Sequence, residues 1–172
     1  RAWGRFFLFV LQVIVMLPLL IIGRLLGIRR AACLPTLFHM ILCKIIGFKV
    51  RVHGRMAGGV YGGQSVLFVS NHSSYLDIPV LGSIIYGSFV SKSEVGAWPF
   101  IGMMSRFQNT VFVERRAIRS GKQNGILRNR LEAGDSLILF PEGTSSDGMR
   151  TLPFKSSLFN CVEKPRADGS FI

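Results

Sequence analysis

Four short runs of strand character, each followed at once by polar residues, constrain the fold of this chain more than any other feature. They are rich in β-branched and aromatic side chains, and they cover residues 66–69, 87–91, 110–113 and 137–140. Runs of this length and composition are typical of strands in a sheet. Helical patterns separate them, so the sequence predicts an α/β fold with a mainly parallel or mixed sheet and helices on both faces.

Polar side chains stand just past each predicted strand. His72 follows the first, Lys92 the second, Arg115 the third and Glu142 the fourth. The carboxyl ends of parallel strands share one edge of a sheet, and ligands bind at that edge. We therefore expect a base and phosphate-binding cations to lie together there.

The first of these turns combines a histidine with a carboxylate. His72 and Asp77 are five positions apart, and on a regular helix their side chains would point about 140° away from each other. At least one of them must therefore lie outside a helix. A turn leading into a helix near Tyr75 would let Asp77 hold one ring nitrogen and leave the other free to take a proton from a hydroxyl. The alternative is a polar helix cap in which Asn71 or Ser73 binds backbone amides.

Three blocks occur in order along the chain: residues 71–77 (NHSSYLD), 111–115 (VFVER) and 140–146 (FPEGTSS). Together they resemble the motifs of the lysophospholipid and glycerophosphate acyltransferase family. The resemblance covers about residues 48–159 and implies transfer of a fatty acyl group to a lysophospholipid, most simply 1-acyl-sn-glycerol 3-phosphate, which would give phosphatidic acid.

The resemblance also implies a role for each matching residue. His72, oriented by Asp77, would be the base, and Arg115 and Lys92 would hold the acceptor phosphate. The third block would bind the acceptor through Glu142, Gly143 and Thr144. Acyl carrier protein or coenzyme A would carry the acyl group as a thioester, and the family requires no metal or bound cofactor.

The chain departs from the family pattern in two ways. Position 145, often Arg in the family, is Ser145, which leaves one fewer cation for a phosphate. This departure makes a different acceptor, such as a lyso-ornithine lipid, the alternative. The sequence also ends at Ile172, before the family's fourth block. It therefore resembles an enzyme truncated at its C-terminus.

The composition is apolar and basic together. Hydrophobic residues make up 49% of the chain, the net charge is +12, and no acidic residue precedes Asp77. This balance indicates an anionic membrane surface as partner, because the cations flank apolar stretches and no nucleic-acid-binding motif is present. Cys33, Cys43 and Cys161 lack metal-ligand spacing and are typical of a reducing compartment, and His39 and His53 are interpreted as structural.

An uncharged stretch from Phe6 to Ile22 lies between Arg5 and Arg24. It is near the lower limit for a membrane span, but Pro18 and the arginines at both ends fit a re-entrant hairpin as well. The sequence predicts a protein bound to the cytoplasmic face of the bacterial inner membrane.

A second helix is predicted from Pro35 to a stop at Gly47, followed by an alternating strand at residues 48–53. These patterns divide the chain into membrane-associating helices at residues 1–46 and a catalytic domain at residues 47–172. The amphipathic helix would lie in the headgroup layer or pack on that domain.

Two other classes of function remain open. A serine hydrolase would use Ser73 or Ser74, although the Gly-x-Ser-x-Gly elbow is absent. A non-catalytic membrane-binding protein would need only the N-terminal segment and the basic charge.

Overall fold

The four predicted strands all form, and they make one parallel sheet. A computed structural model describes residues 1–28, 33–57, 65–114, 122–163, 165 and 169. Its strands are β1 (Leu67–Val69), β2 (Ser88–Lys92), β3 (Val111–Val113) and β4 (Leu137–Leu139). Their order across the sheet is β1-β4-β2-β3, and each neighbouring pair is parallel. The predicted α/β class is confirmed.

The described part of the chain holds five α-helices. They are α1 (Ala2–Leu25), α2 (Leu34–Ile46), α3 (Asp77–Gly82), α4 (Ile101–Phe107) and α5 (Lys122–Glu132). The chain forms two compact units, one of Arg1–Arg55 with Tyr75–Tyr86 and the other of Met56–Ser74 with Gly87–Ile172. The predicted domain boundary between residues 46 and 47 stays a prediction.

The core of the second unit lies on one face of the sheet. Leu127 and Leu131 of α5 are almost fully buried there against side chains of β2, β3 and β4. Cys161 packs into the same cluster, and burial raises the pKa of its thiol. A thiol that stays protonated is a poor nucleophile and metal ligand, so Cys161 contributes to the packing of this core.

The opposite face of the sheet carries the alternate residues of the strands. The rings of Phe89 and Phe140 stack on this face with centroids 6.2 Å apart. Arg106 of α4 places its guanidinium 6.0 Å from the ring of Phe112 in β3. Because α5 packs on one face and α4 meets the other, helices lie on both faces, as predicted.

Two local predictions differ from the structure. No strand forms at residues 48–53, where the backbone is irregular and mostly exposed. Alternation produces a strand only where a neighbour supplies hydrogen bonds, and no described strand pairs with this segment. The uninterrupted apolar run at residues 66–69 is typical of a buried strand, yet Val69 is 40% exposed, because β1 is at an edge of the described sheet.

The first unit is built on contacts among α1, α2 and α3. Gln12 of α1 donates from Nε2 to the Phe38 carbonyl of α2 over 2.6 Å. The His39 ring of α2 is buried, and a Cβ on Gly82 of α3 would overlap that ring. Only glycine fits at that position. The chain leaves α2 at Gly47, whose φ of 89° ends the helix as the sequence predicts.

Candidate active site

The end of β1 and the end of β4 lie side by side at the carboxyl edge of the sheet. Leu67 pairs with Leu137, and His72 and Glu142 each stand five residues beyond those partners. Strands β2 and β3 end at the same edge, where Lys92 pairs with Val113. The parallel sheet thus gathers the polar turns along one edge, as the sequence predicts.

Two contacts and one close approach join the NHSSYLD segment to the FPEGTSS segment and the residues just after it. The imidazole of His72 stacks on the Phe140 ring at a centroid distance of 4.2 Å and an angle of 22°. The Ser146 amide donates to the His72 carbonyl over 2.8 Å. A Cβ on Gly148 would lie 3.7 Å from the Cβ of Ser73. The histidine is therefore held by its ring and by its backbone against the FPEGTSS segment.

Glu142 is a buried acid in the turn that follows β4. Its side chain is only 3% exposed, and its Oε1 atom accepts a hydrogen bond from the Leu152 amide over 3.2 Å. The Oε2 atom is buried without a hydrogen-bond partner among the described residues. An unsatisfied buried carboxylate oxygen costs free energy, so a donor supplied by a ligand would stabilise this turn.

The turn itself depends on Gly143. The Gly143 amide donates to the Phe140 carbonyl over 3.1 Å, and Gly143 has a φ of 70°. That left-handed conformation strains any residue with a Cβ. Thr144 follows on the exposed side, and its own amide makes no hydrogen bond to the described residues.

The other predicted site residues have different placements. Lys92 is half-buried at the end of β2, whereas Asp77 is the first residue of α3. His72 lies outside a helix, as the spacing required, but it belongs to one compact unit and Asp77 to the other. The His72–Asp77 pair stays a prediction. Arg115 lies outside the described residues.

The structure adds two residues that sequence reasoning missed. Phe140 stacks on the candidate base, and Lys155 brings its ammonium to Gly143, where an added Cβ would lie 2.5 Å from Nζ. Both contacts depend on the strand order and on the return of residues 152–155 to the turn. No local pattern in the sequence predicts these two contacts. Among the described residues, no cluster of three or more His, Cys, Asp or Glu side chains could hold a metal ion.

Phe140→Leu is expected to lower kcat for the reaction that uses His72 by about 2- to 10-fold, because an aromatic stack contributes about 0.5–1.5 kcal/mol beyond its buried area. Phe140→Tyr keeps the ring and should retain near-wild-type kcat. Steady-state kinetics of both variants, with Phe112→Leu on β3 as a control, would check this. Equal losses in all three variants would make Phe140 an ordinary packing residue.

Comparison with known proteins identifies relatives of one kind. A family model described as Acyltransferase matches residues 49–169. A lyso-ornithine lipid O-acyltransferase of Brucella abortus is 48% identical over 75% of this chain and 47% of its own length. The Rhizobium meliloti enzyme of the same name is 40% identical over 90% of this chain and 52% of its own length. This chain therefore spans about half the length of these curated relatives.

Relatives with another acceptor match as well. A 1-acyl-sn-glycerol-3-phosphate acyltransferase of Neisseria gonorrhoeae is 37% identical over 56% of this chain and 38% of its own length. The crystal structure of the 1-acyl-sn-glycerophosphate acyltransferase PlsC from Thermotoga maritima superposes with a TM-score of 0.66 at 27% identity. That alignment covers 92% of this chain and 67% of the PlsC chain. The α/β fold of this chain is thus similar to that of a solved lysolipid acyltransferase.

Proposed function

This chain belongs to the acyltransferase family, and on that basis we propose that it moves a fatty acyl group from a thioester to the free hydroxyl of a lysolipid. The observation that carries the proposal is the direct contact between the NHSSYLD and FPEGTSS segments. His72 stacks on Phe140, and its carbonyl accepts from the Ser146 amide. A histidine fixed beside a turn with exposed backbone donors suits acyl transfer.

In the proposed reaction, His72 takes the proton of the acceptor hydroxyl as its oxygen attacks the thioester carbon. The tetrahedral intermediate collapses with loss of the thiolate, which receives the proton from the imidazolium. Asp77 would orient the imidazole, and no acyl-enzyme forms. The Gly143 amide is already engaged with Phe140, so the Thr144 amide is the better placed donor for the developing oxyanion.

For the acceptor, two lysolipids are supported to different degrees. The Brucella abortus relative named for lyso-ornithine lipid is 48% identical, whereas the Neisseria gonorrhoeae relative named for 1-acyl-sn-glycerol 3-phosphate is 37% identical. Ser145, at a position where the family often has Arg, agrees with the former. We therefore place lyso-ornithine lipid first and 1-acyl-sn-glycerol 3-phosphate second.

The test is an acyl-transfer assay with both acceptors, each offered acyl carrier protein and coenzyme A thioesters. The expected result is a diacylated lipid that depends on the acceptor. The basic charge of +12 suits either acidic donor. Thioester consumption without an acceptor would favour the hydrolase alternative at Ser73 or Ser74. No reaction in any combination would leave the non-catalytic membrane protein as the better hypothesis.

The proposed site of action is the cytoplasmic surface of a membrane, reached through α1. This helix is 24 residues long and contains an 18-residue stretch with a mean hydropathy of 2.8, so it is long and apolar enough to cross a bilayer. Large apolar residues along it are exposed, Phe7 to 65% and Ile14 to 63%. Exposed apolar surface of this extent is typical of a lipid-contacting segment.

Binding to anionic lipid vesicles is expected to persist at about 0.5 M salt, because ionic strength screens surface charge but not apolar insertion. Co-flotation of the protein with vesicles, with and without added salt, would measure it. Replacing Phe7 and Ile14 by Ser should release the protein into the aqueous fraction at high salt. Complete release of the wild type by salt would mean that charge alone holds the protein at the surface.

A further inference from the structure

One lysine outside the recognised blocks lies at the turn that follows β4. The Lys155 amide donates to the Pro141 carbonyl over 3.0 Å, and the Leu152 amide donates to Glu142. These two bonds fix residues 152–155 against the turn. Lys155 is therefore attached to the same turn that contacts His72, although it is 12 residues further along the chain than Gly143.

The side chain of Lys155 occupies the space where a side chain on Gly143 would be. A Cβ at that position would lie 2.5 Å from Nζ and 3.2 Å from Cε. The missing side chain thus allows the ammonium to approach the turn backbone closely. Because Lys155 remains exposed, its charge is available to a ligand that enters at the edge of the sheet.

The charge of Lys155 is not neutralised by the described part of the protein. Lys155 forms no ion pair with a described carboxylate. Two arginines of α5 differ in this respect, since Arg128 pairs with Glu132 and Arg130 with Asp135. A cation without a carboxylate partner at the mouth of a polar site attracts an anion.

We propose that Lys155 binds the anionic group of the acceptor headgroup and so helps to place its hydroxyl at His72. This inference rests on the proposed function and deepens it. The shared chemistry is an anion, a phosphate in 1-acyl-sn-glycerol 3-phosphate or a carboxylate in a lyso-ornithine lipid. An ammonium acts as a point charge toward either group, so Lys155 serves both acceptors.

Lys155→Met keeps the apolar stem and removes the charge. We expect it to raise KM about 10-fold or more for each acceptor that carries an anionic group, with kcat changed less than twofold, because the variant loses a hydrogen bond between charged groups. The protein in detergent micelles would be assayed with both acceptors and with a monoacylglycerol, which carries no anion. KM for the neutral acceptor should not change, and Lys155→Arg should retain most of the wild-type KM.

Lys49→Met is the matched control, because it removes one exposed positive charge from the other compact unit. It separates a local contact from a general loss of attraction to anionic micelles. An equal rise in KM for Lys49→Met, an unchanged KM for Lys155→Met, or a rise that includes monoacylglycerol would each overturn the proposal.

Failure of the proposed function can be told apart from failure of this inference. If the wild type acylates no acceptor, binding of 1-acyl-sn-glycerol 3-phosphate and of monoacylglycerol in micelles would be measured by titration calorimetry. The anion site is supported even then if Lys155→Met binds 1-acyl-sn-glycerol 3-phosphate more weakly than the wild type does but binds monoacylglycerol equally well. Lys49→Met should bind both lipids as the wild type does. Equal binding by the wild type and Lys155→Met overturns it.

Discussion

His72→Ala is expected to lower kcat for acyl transfer by about 10²- to 10⁴-fold, the contribution of a positioned general base. The loss should fall on kcat rather than on KM for the thioester, because the imidazole acts on the acceptor proton as the bond forms. Substrate-saturated rates of the wild type and the variant would measure it.

His53→Ala is the matched control for this prediction. His53 is exposed in an irregular segment, so its replacement should leave kcat unchanged. Removal of the His72 ring also uncovers one side of Phe140, and a thermal unfolding curve of each variant would show whether the fold survives. A folded His72→Ala protein with wild-type kcat would rule out His72 as the base.

Glu142→Gln is expected to separate activity from stability. The amide oxygen of Gln can still accept from the Leu152 amide, and the buried charge is removed, but the Gln Nε2 group at the position of Oε2 lacks an acceptor among the described residues. Because these two effects oppose each other, the free energy of unfolding should change by less than about 1 kcal/mol. The value of kcat/KM should fall about 10- to 100-fold, because hydrogen bonds to a charged group contribute about 1.5–3 kcal/mol.

Chemical denaturation would measure the free energy of unfolding, and steady-state kinetics on the same preparations would measure kcat/KM. Glu132→Gln on α5 is a suitable control, since Glu132 forms a partly exposed ion pair with Arg128 one helical turn away. We expect it to change stability by less than about 0.5 kcal/mol and activity not at all. A Glu142→Gln enzyme that is less stable but fully active would make Glu142 a structural acid.

Features that depend on neighbouring residues were predictable from the sequence. Apolar runs located the four strands, and Gly47 marked the end of α2 because its left-handed φ terminates a helix. The shared edge of the sheet followed from the alternation of strands and helices. The positions of His72 and Glu142 at that edge followed in turn, since each comes just after a strand.

Features that depend on distant partners were not predictable from local patterns. Residues 48–53 alternate like a strand, yet no described strand pairs with them. The exposure of Val69 follows from the edge position of β1, which only the strand order reveals. Lys155 was missed for the same reason. The family pattern pointed to a missing cation at Ser145, whereas the fold brings Lys155 to the same turn from a later segment.

The strand order has a consequence for biosynthesis. β4 is the last of the four strands in sequence, yet it is inserted between β1 and β2. While the chain is still being translated, β1 and β2 therefore cannot join until residues 137–139 have emerged from the ribosome. By that time the whole of α1 has been synthesised. If α1 is the membrane anchor proposed above, the nascent polypeptide would engage lipid before the carboxyl edge of its sheet exists, and anchoring would precede the assembly of the candidate site.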